Sequence, residues 1–225
     1  MTSEELQQRV FDIGIIPVIR ARSADIAQRT AEAVGAGGIP IVEITMTVRG
    51  AVDLISRLSQ DVGKDVVIGA GTVLNQETAS RCIDAGAQFL VSPGFDEGTV
   101  RLAKARSILT ISGALTPTEI MAAREAGVDI IKTFPSGAVG GAKYIKALKG
   151  PFPDVPLIPT GGVNLATAAG FVEAGAFALG VGSELISAAA LDSGNVREIT
   201  ENARRFVDVV CSAREGSGLM QRTTT

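Results

Sequence analysis

The chain has 225 residues, 46% of them hydrophobic but only 4% aromatic, with 21 basic against 24 acidic side chains for a formal charge of −3. No Lys/Arg run is long enough to follow a phosphodiester backbone and no stretch approaches the roughly 18 apolar residues of a membrane span, so neither nucleic acid nor a membrane is expected as a partner. Histidine is absent, which excludes Ser-His and Cys-His nucleophile pairs, His-ligated zinc and imidazole bases, leaving Lys, Glu, Asp, Arg, Thr, Ser, Tyr and backbone for any chemistry.

The two cysteines, Cys82 and Cys211, lie far apart without Cys-x-x-Cys spacing, so both read as idle thiols rather than a disulfide or zinc framework. Met1 to Arg9 lacks the apolar core of a signal peptide, and a cytoplasmic protein is the expectation. Few aromatics with much Gly, Ala, Val and Ile suit helices packed over a buried parallel sheet.

Taken in order, Thr2-Ser3-Glu4-Glu5 supplies an N-cap and first-turn carboxylates for a short leading helix. Gly14 to Arg20 reads as a buried strand, and Ser23 caps a helix running to about Ala36. Pro40 to Thr45 is a second strand, before a helix from Ala51 to Leu58. Val66 to Thr72 is the third, and Asn75 caps the helix carrying Ala79, Cys82 and Ile83. Gln88 to Ser92, closed by Pro93-Gly94, is the fourth, with a helix from Glu97 to Arg106. Ile108 to Ser112 is the fifth, and Thr116-Pro-Thr-Glu119 combines N-cap, proline at N1 and glutamate at N3. The sixth lies in Asp129-Ile-Ile-Lys-Thr-Phe-Pro-Ser136, ahead of a helix around Tyr144 to Leu148. Val155 to Pro159 and Phe177 to Val181 are the seventh and eighth. Helices near Glu184 to Ala189 and from Val196 to Val210 close the chain, and a polar tail, 214–225, is expected to fray.

Helix ends run into strands through a quasi-repeat: Val34-Gly-Ala-Gly37, Asp84-Ala-Gly-Ala87, Glu125-Ala-Gly-Val128 and Glu173-Ala-Gly-Ala176, each with glycine where a left-handed cap is wanted. Eight strand–helix steps predict an α/β fold, a single (β/α)8 TIM barrel over residues 1–213 with a short N-terminal helix. An open doubly wound sheet is the competing arrangement, and no Gly-x-Gly-x-x-Gly follows the first strand to support it.

The C-terminal strand ends of such a barrel form its active face. Polar residues gather there: Arg20, Glu43 with Thr45 and Thr47, Thr72, Pro93, Ser112, Lys132 with Phe134, Thr160 to Gly162, and Ser183. Lys132 stands out, because an ammonium at the end of an apolar run needs a reason to be there. Low dielectric disfavours a charged amine, and a free amine attacks a ketone to give an imine, an electron sink for breaking a nearby C–C bond. Glu43, read as two strands' worth of barrel wall away, points into the same mouth and can move the protons. A buried ion pair that only fixes register is the competing reading. Thr160-Gly-Gly-Val-Asn164 and Val181-Gly-Ser183 place glycines after strands seven and eight, where backbone N–H groups and a helix N-terminus can approach a phosphate. Tight turns also require glycine, so each motif alone is equivocal.

Glu43-Ile-Thr, Ile68-Gly-Ala-Gly-Thr72, Ser92-Pro-Gly94, Lys132-Thr-Phe-Pro135, Gly150-Pro-Phe-Pro153 and Pro159-Thr-Gly-Gly162, in this order, resemble the 2-keto-3-deoxy-6-phosphogluconate (KDPG) / 2-keto-4-hydroxyglutarate (KHG) aldolase family from about Gly14 to Val210. The resemblance implies a class I, metal-free aldolase, usually a homotrimer, with no cofactor beyond the covalent imine on Lys132. By motif position Lys132 would be the Schiff-base lysine and Glu43 the acid/base. Thr72, Pro93 and Phe134 would line the pyruvate end, and Gly161, Gly162 and Ser183 would hold the phosphate. Members resembling the phosphogluconate enzymes carry an arginine four residues after the glutamate, where this chain has Thr47, with Arg49 two positions on. Arg20, at the end of strand one, resembles the arginine that other branches of the family use there, and is the expected carboxylate ligand as a planar bidentate donor, against a competing reading as a solvated rim charge.

The expected reaction is retro-aldol cleavage of a 2-keto-3-deoxy acid, either the phosphogluconate to pyruvate and glyceraldehyde 3-phosphate or 4-hydroxy-2-oxoglutarate to pyruvate and glyoxylate. The galactonate epimer, a phosphate-binding barrel isomerase without Schiff-base chemistry, and a non-catalytic trimeric barrel are the alternatives.

Overall fold

Each buried apolar run forms a strand and each capped segment between runs forms a helix in the computed structural model, which describes residues 1–61 and 66–217. A leading helix α1 (Ser3–Ile13) precedes β1 (Ile15–Ile19), α2 (Ala24–Ala36), β2 (Ile41–Thr45), α3 (Ala51–Asp61), β3 (Val67–Gly71) and α4 (Gln76–Asp84). Then come β4 (Phe89–Val91), α5 (Glu97–Ala105), β5 (Leu109–Gly113), α6 (Pro117–Glu125), β6 (Ile130–Thr133) and α7 (Ala142–Lys149). The chain finishes with β7 (Leu157–Pro159), α8 (Ala168–Glu173), β8 (Leu179–Val181), α9 (Ala188–Ser193) and α10 (Val196–Ser217).

The strands pair in parallel in the order β7-β6-β5-β4-β3-β2-β1-β8, and a parallel bridge between Thr160 and Gly180 joins the two ends of that row. The result is a (β/α)8 barrel, as the alternation predicts. Partners across a parallel ladder share a face, so the register carries the inner wall round the ring: Val18 beside Glu43, Glu43 beside Gly69, Gly69 beside Phe89, and, further on, Gly113 beside Lys132. Phe89 is fully buried, and a Cβ on Gly69 would land on its ring. That glycine lets the ring fill the floor of the bore, and Glu43 and Lys132 stand above it.

Local chemistry explains most helix boundaries. Thr2 and Thr116 each form a capping box, with Glu5 and Glu119 reaching back to the cap. Ser23, Asn75 and Asp96 accept from the N–H three residues on. In the quasi-repeat Gly86, Gly127 and Gly175 have positive φ as expected, but in its first copy the left-handed residue is Gly38 at φ +94, since Gly37 remains helical at φ −84. No helix spans Glu184 to Ala189. Gly182 O accepts the N–H groups of Leu185 and Ile186 in a turn, and α9 begins only after Ser187, whose hydroxyl accepts from Ala190 N–H. Before α8, Asn164 rather than the N-cap residue organises the entry, its side chain accepting from Ala166 and Thr167.

The C-terminal boundary also differs from expectation. Helix α10 packs against α2, α8 and α9 and continues through Arg214 to Ser217. Arg214 is 6% exposed: it donates to Asp12 O at 3.0 Å and Phe177 O at 3.1 Å and lies over the Phe11 ring, tying the last helix to α1 at the barrel base. The rest of the expected tail, 218–225, lies outside the described residues. Cys82 is buried with its thiol toward Met46 S at 3.5 Å, and burial pushes its pKa up to about 11, whereas Cys211 is exposed. No helix among the described residues is long and apolar enough to cross a membrane.

Two outcomes follow from these contacts. Arg214→Ala removes two charge-assisted bonds at the base and should lower stability by about 2–4 kcal/mol in urea titration; an unchanged midpoint would show the contact to be idle. The Glu119 carboxyl is held below its ordinary pKa by the Leu115 and Thr116 N–H groups. Because the folded pKa is the lower one, its stabilisation is full above the unfolded value of about 4.3 and is lost as pH falls through the folded value. The stability gap between the parent and Glu119→Gln should therefore be present at neutral pH and close on acidification.

Candidate active site

The C-terminal strand ends bring the expected polar residues to one mouth, and two of them meet inside it. Lys132 is the third residue of β6 and Glu43 the third of β2, 5% and 2% exposed respectively. Their Nζ and Oε1 atoms lie 3.9 Å apart. The strand order corrects the expected spacing: β2 and β6 are four strands apart, on opposite walls, so the pair spans the bore. At 3.9 Å the contact is longer than a hydrogen bond, and Glu43 Oε1 has no hydrogen-bond partner. A pair that served only to pin register would close and satisfy the carboxylate, since a buried unpaired oxygen is costly. What this geometry leaves open is one acceptor and a set of amine donors facing a shared space, enough for proton exchange with a reactant lying between them.

Missing side chains make that space. Among inward-facing positions, a Cβ on Gly71 would land on Glu43 Oε1, one on Gly113 on the Pro93 carbonyl, and one on Gly180 on Thr160 Oγ1. Thr72, just past Gly71, holds a left-handed backbone at φ +57, a strain of roughly 1–2 kcal/mol for a β-branched residue, which turns the chain at the rim. Phe134 is 36% exposed and its ring centroid lies 5.8 Å from Lys132 Nζ. Pro93 is exposed on the turn after β4.

On the β7–β8–β1 side a cavity of about 110 Å³ is lined by Arg20, Phe134, Thr160, Gly161, Gly162 and Ser183 among others. Gly161 and Gly162 have φ of +81 and +79, a conformation that favours glycine. Because α9 starts at Ala188, the β8 side of this cavity is a turn and not the helix N-terminus expected from the sequence. Arg20 borders the glycine loops, and no carboxylate among the described residues pairs with it, while neighbouring Arg22 is held by Asp192 at 3.2 Å. Thr47 is turned back to share a 2.6 Å hydrogen bond with Thr45, whose hydroxyl also contacts Ile19 O at 2.9 Å, and Arg49 is exposed on the turn beyond β2.

The sequence places Thr160 and Gly113 at the active face without a role for either; what it did not show is that Gly71, Gly113 and Gly180 face inward and leave room for Glu43, Pro93 and Thr160. The glycines gave no signal of this, because what they clear lies on other strands. Among the described residues no group of three or more His, Cys, Asp or Glu side chains could hold a metal ion.

Comparison with known proteins points to an aldolase family. The family model for KDPG and KHG aldolase covers residues 6–202. The KHG/KDPG aldolase of Escherichia coli (strain K12) is 36% identical over 194 residues, 86% of this chain and 91% of that protein. Among solved structures, one described as native KDPGal superposes with a TM-score of 0.83 at 31% identity, covering 89% of this chain and 96% of that one. KDPG aldolase from Legionella pneumophila, with pyruvate captured as a covalent carbinolamine, superposes with a TM-score of 0.79 at 31% identity over 88% of this chain and 96% of that one. A buried lysine facing a carboxylate across a parallel barrel, glycine loops after its last strands, and these matches over most of both chains lead to one conclusion: the chain belongs to the KDPG and KHG aldolase family.

Proposed function

We propose that this aldolase works through a Schiff base on Lys132 and cleaves 2-keto-3-deoxy-6-phosphogluconate to pyruvate and glyceraldehyde 3-phosphate. The observation that carries the reading is the 3.9 Å approach of Lys132 Nζ to an otherwise unpartnered Glu43 Oε1 inside the bore. The amine adds to the C2 ketone, and the carbinolamine loses its hydroxyl as water to leave the imine, with Glu43 relaying protons. Glu43 then takes the C4 hydroxyl proton; the C4 oxygen becomes the aldehyde carbonyl as the C3–C4 pair moves into the iminium to form an enamine. Protonation at C3 and hydrolysis release pyruvate and the free amine. No metal or other cofactor enters this scheme.

Thr72, Pro93 and Phe134 would line the pyruvate end. Gly161, Gly162 and Ser183 would hold the phosphate through backbone N–H groups and a hydroxyl. Arg20, expected from the sequence to take the carboxylate, borders the glycine-loop cavity, which supports a role at the phosphate end instead. 4-Hydroxy-2-oxoglutarate, cleaved to pyruvate and glyoxylate, runs through the same steps without using that cavity. The similarity to the KDPGal structure keeps the 6-phosphogalactonate epimer as a second candidate. The homotrimer that the family resemblance of the motifs implies is part of this proposal, with the exposed Leu74, Phe95 and Met121 as candidate contacts.

Borohydride added with pyruvate should fix the pyruvate-derived adduct on Lys132, and Lys132→Ala should lose trapping together with cleavage, a drop in kcat of at least about a thousandfold. A full rate in the alanine variant, or no mass added at Lys132, would sink the Schiff-base reading. For the substrate, kcat/KM should favour the phosphorylated acid over 4-hydroxy-2-oxoglutarate, and Arg20→Ala should cost the phosphorylated acid roughly tenfold or more while sparing the other. Equal losses on both acids would return Arg20 to the carboxylate.

A further inference from the structure

Beyond the ends of β6 and β7 the two chains stay zipped together. Thr160 N–H donates to Thr133 O, Ser136 N–H to Thr160 O and Gly137 N–H to Gly161 O, each at 2.9 Å. Ser136 is fully buried and its hydroxyl donates to Thr133 O at 2.6 Å, so the first rungs are anchored from within. Backbone hydrogen bonds thus link the segment that follows Lys132 to the loop carrying Gly161 and Gly162.

At the last rung two glycines meet backbone to backbone. A Cβ on Gly162 would lie 2.7 Å from Gly137 Cα, and a Cβ on Gly137 would lie 2.9 Å from Gly162 Cα. Both fall well inside the ~3.5–4.0 Å at which carbon atoms pack. The far side of the Gly162 loop is tied as well, its carbonyl accepting from Thr167 Oγ1 at 2.9 Å. Gly162 needs glycine for its positive φ in any case, but the φ of Gly137 lies outside the left-handed region. Conformation does not demand glycine at 137; only the space does.

We propose that Gly137 is a positioning residue that sets where the anion-binding loop stands relative to the Lys132 amine. The inference rests on the aldolase reading and extends it to a residue that touches neither the reacting carbons nor the phosphate. A methyl group at 137 enters without backbone strain and pushes against Gly162 Cα. The loop cannot slide along the ladder, because Gly161 O is bonded to Gly137 N–H, and it cannot swing freely, because Thr167 holds Gly162 O. It must move away from β6, which lengthens the hydrogen bonds from the Gly161 and Gly162 N–H groups to a bound phosphate. Pyruvate carries no phosphate and does not sense the shift.

The test compares Gly137→Ala and Gly137→Ser with the parent. Both variants should raise KM for the 6-phosphorylated acid about tenfold, serine at least as much as alanine, and should weaken competitive inhibition by inorganic phosphate in parallel, with kcat close to the parent value. Borohydride trapping of pyruvate on Lys132 and turnover of unphosphorylated 4-hydroxy-2-oxoglutarate should stay at parent rates, which general damage to the barrel would not allow. The proposal is overturned by an unchanged KM and phosphate inhibition, or by a loss of pyruvate trapping in proportion to the loss on the phosphorylated acid. Absence of a pyruvate adduct in the parent chain is a separate outcome, removing the aldolase reading and this proposal with it.

Discussion

A lysine and a glutamate face each other across an apolar bore, far enough apart that neither is satisfied by the other alone. Two charges in low dielectric are costly unless their attraction and hydrogen bonds compensate, and replacing such a pair by packed hydrophobics commonly costs nothing in stability. The arrangement is intelligible as one that keeps an amine and a carboxylate ready for a third group, and the neighbouring residues follow from it. Gly71 has no side chain because Glu43 Oε1 occupies the place of its Cβ, and Phe89 seals the bore beneath, aided by the bare backbone of Gly69. Stability comes from the fully buried aliphatic layer between barrel and helices, which leaves the top of the bore free to hold a poorly satisfied pair.

The two ends of the mouth are built from different material. Side chains dominate where β2 and β6 face each other, since proton transfer needs titratable groups. Backbone dominates where β7, β8 and the β6 loop converge, which suits the proposed phosphate site, since N–H groups approach an anion only where no Cβ intervenes. Continuing the β6–β7 ladder past Pro159 joins these ends through hydrogen bonds rather than through a flexible loop. The separation between the amine and the Gly161-Gly162 loop is thereby fixed by backbone hydrogen bonds, the kind of preorganisation that avoids ordering costs on binding.

Much of this was legible in the chain. The capping boxes at Thr2 and Thr116, the caps at Ser23 and Asn75, and the strand–helix alternation depend on residues a few positions apart, so local pattern sufficed for them. Where longer-range contacts took over, local reading failed. Arg214 looked like the start of a frayed tail because its partners, Asp12, Phe177 and Phe11, lie far away along the chain. Gly37 and Gly38 were both available to end α2, and a Cβ at 37 would meet Ala203 on α10, a clash seen only in the packed structure.

By itself the sequence determined the barrel, its family, and the presence of one lysine and one glutamate at strand ends with no histidine to compete, because strand alternation, cap chemistry and motif order are properties of neighbours along the chain. Only the tertiary structure decided that Glu43 reaches Lys132 from the opposite wall, that Arg20 stands with the glycine loops, and that Gly137 abuts Gly162. Those relations depend on ring closure and on the register between strands, and no spacing along the chain encodes the distance across a closed barrel.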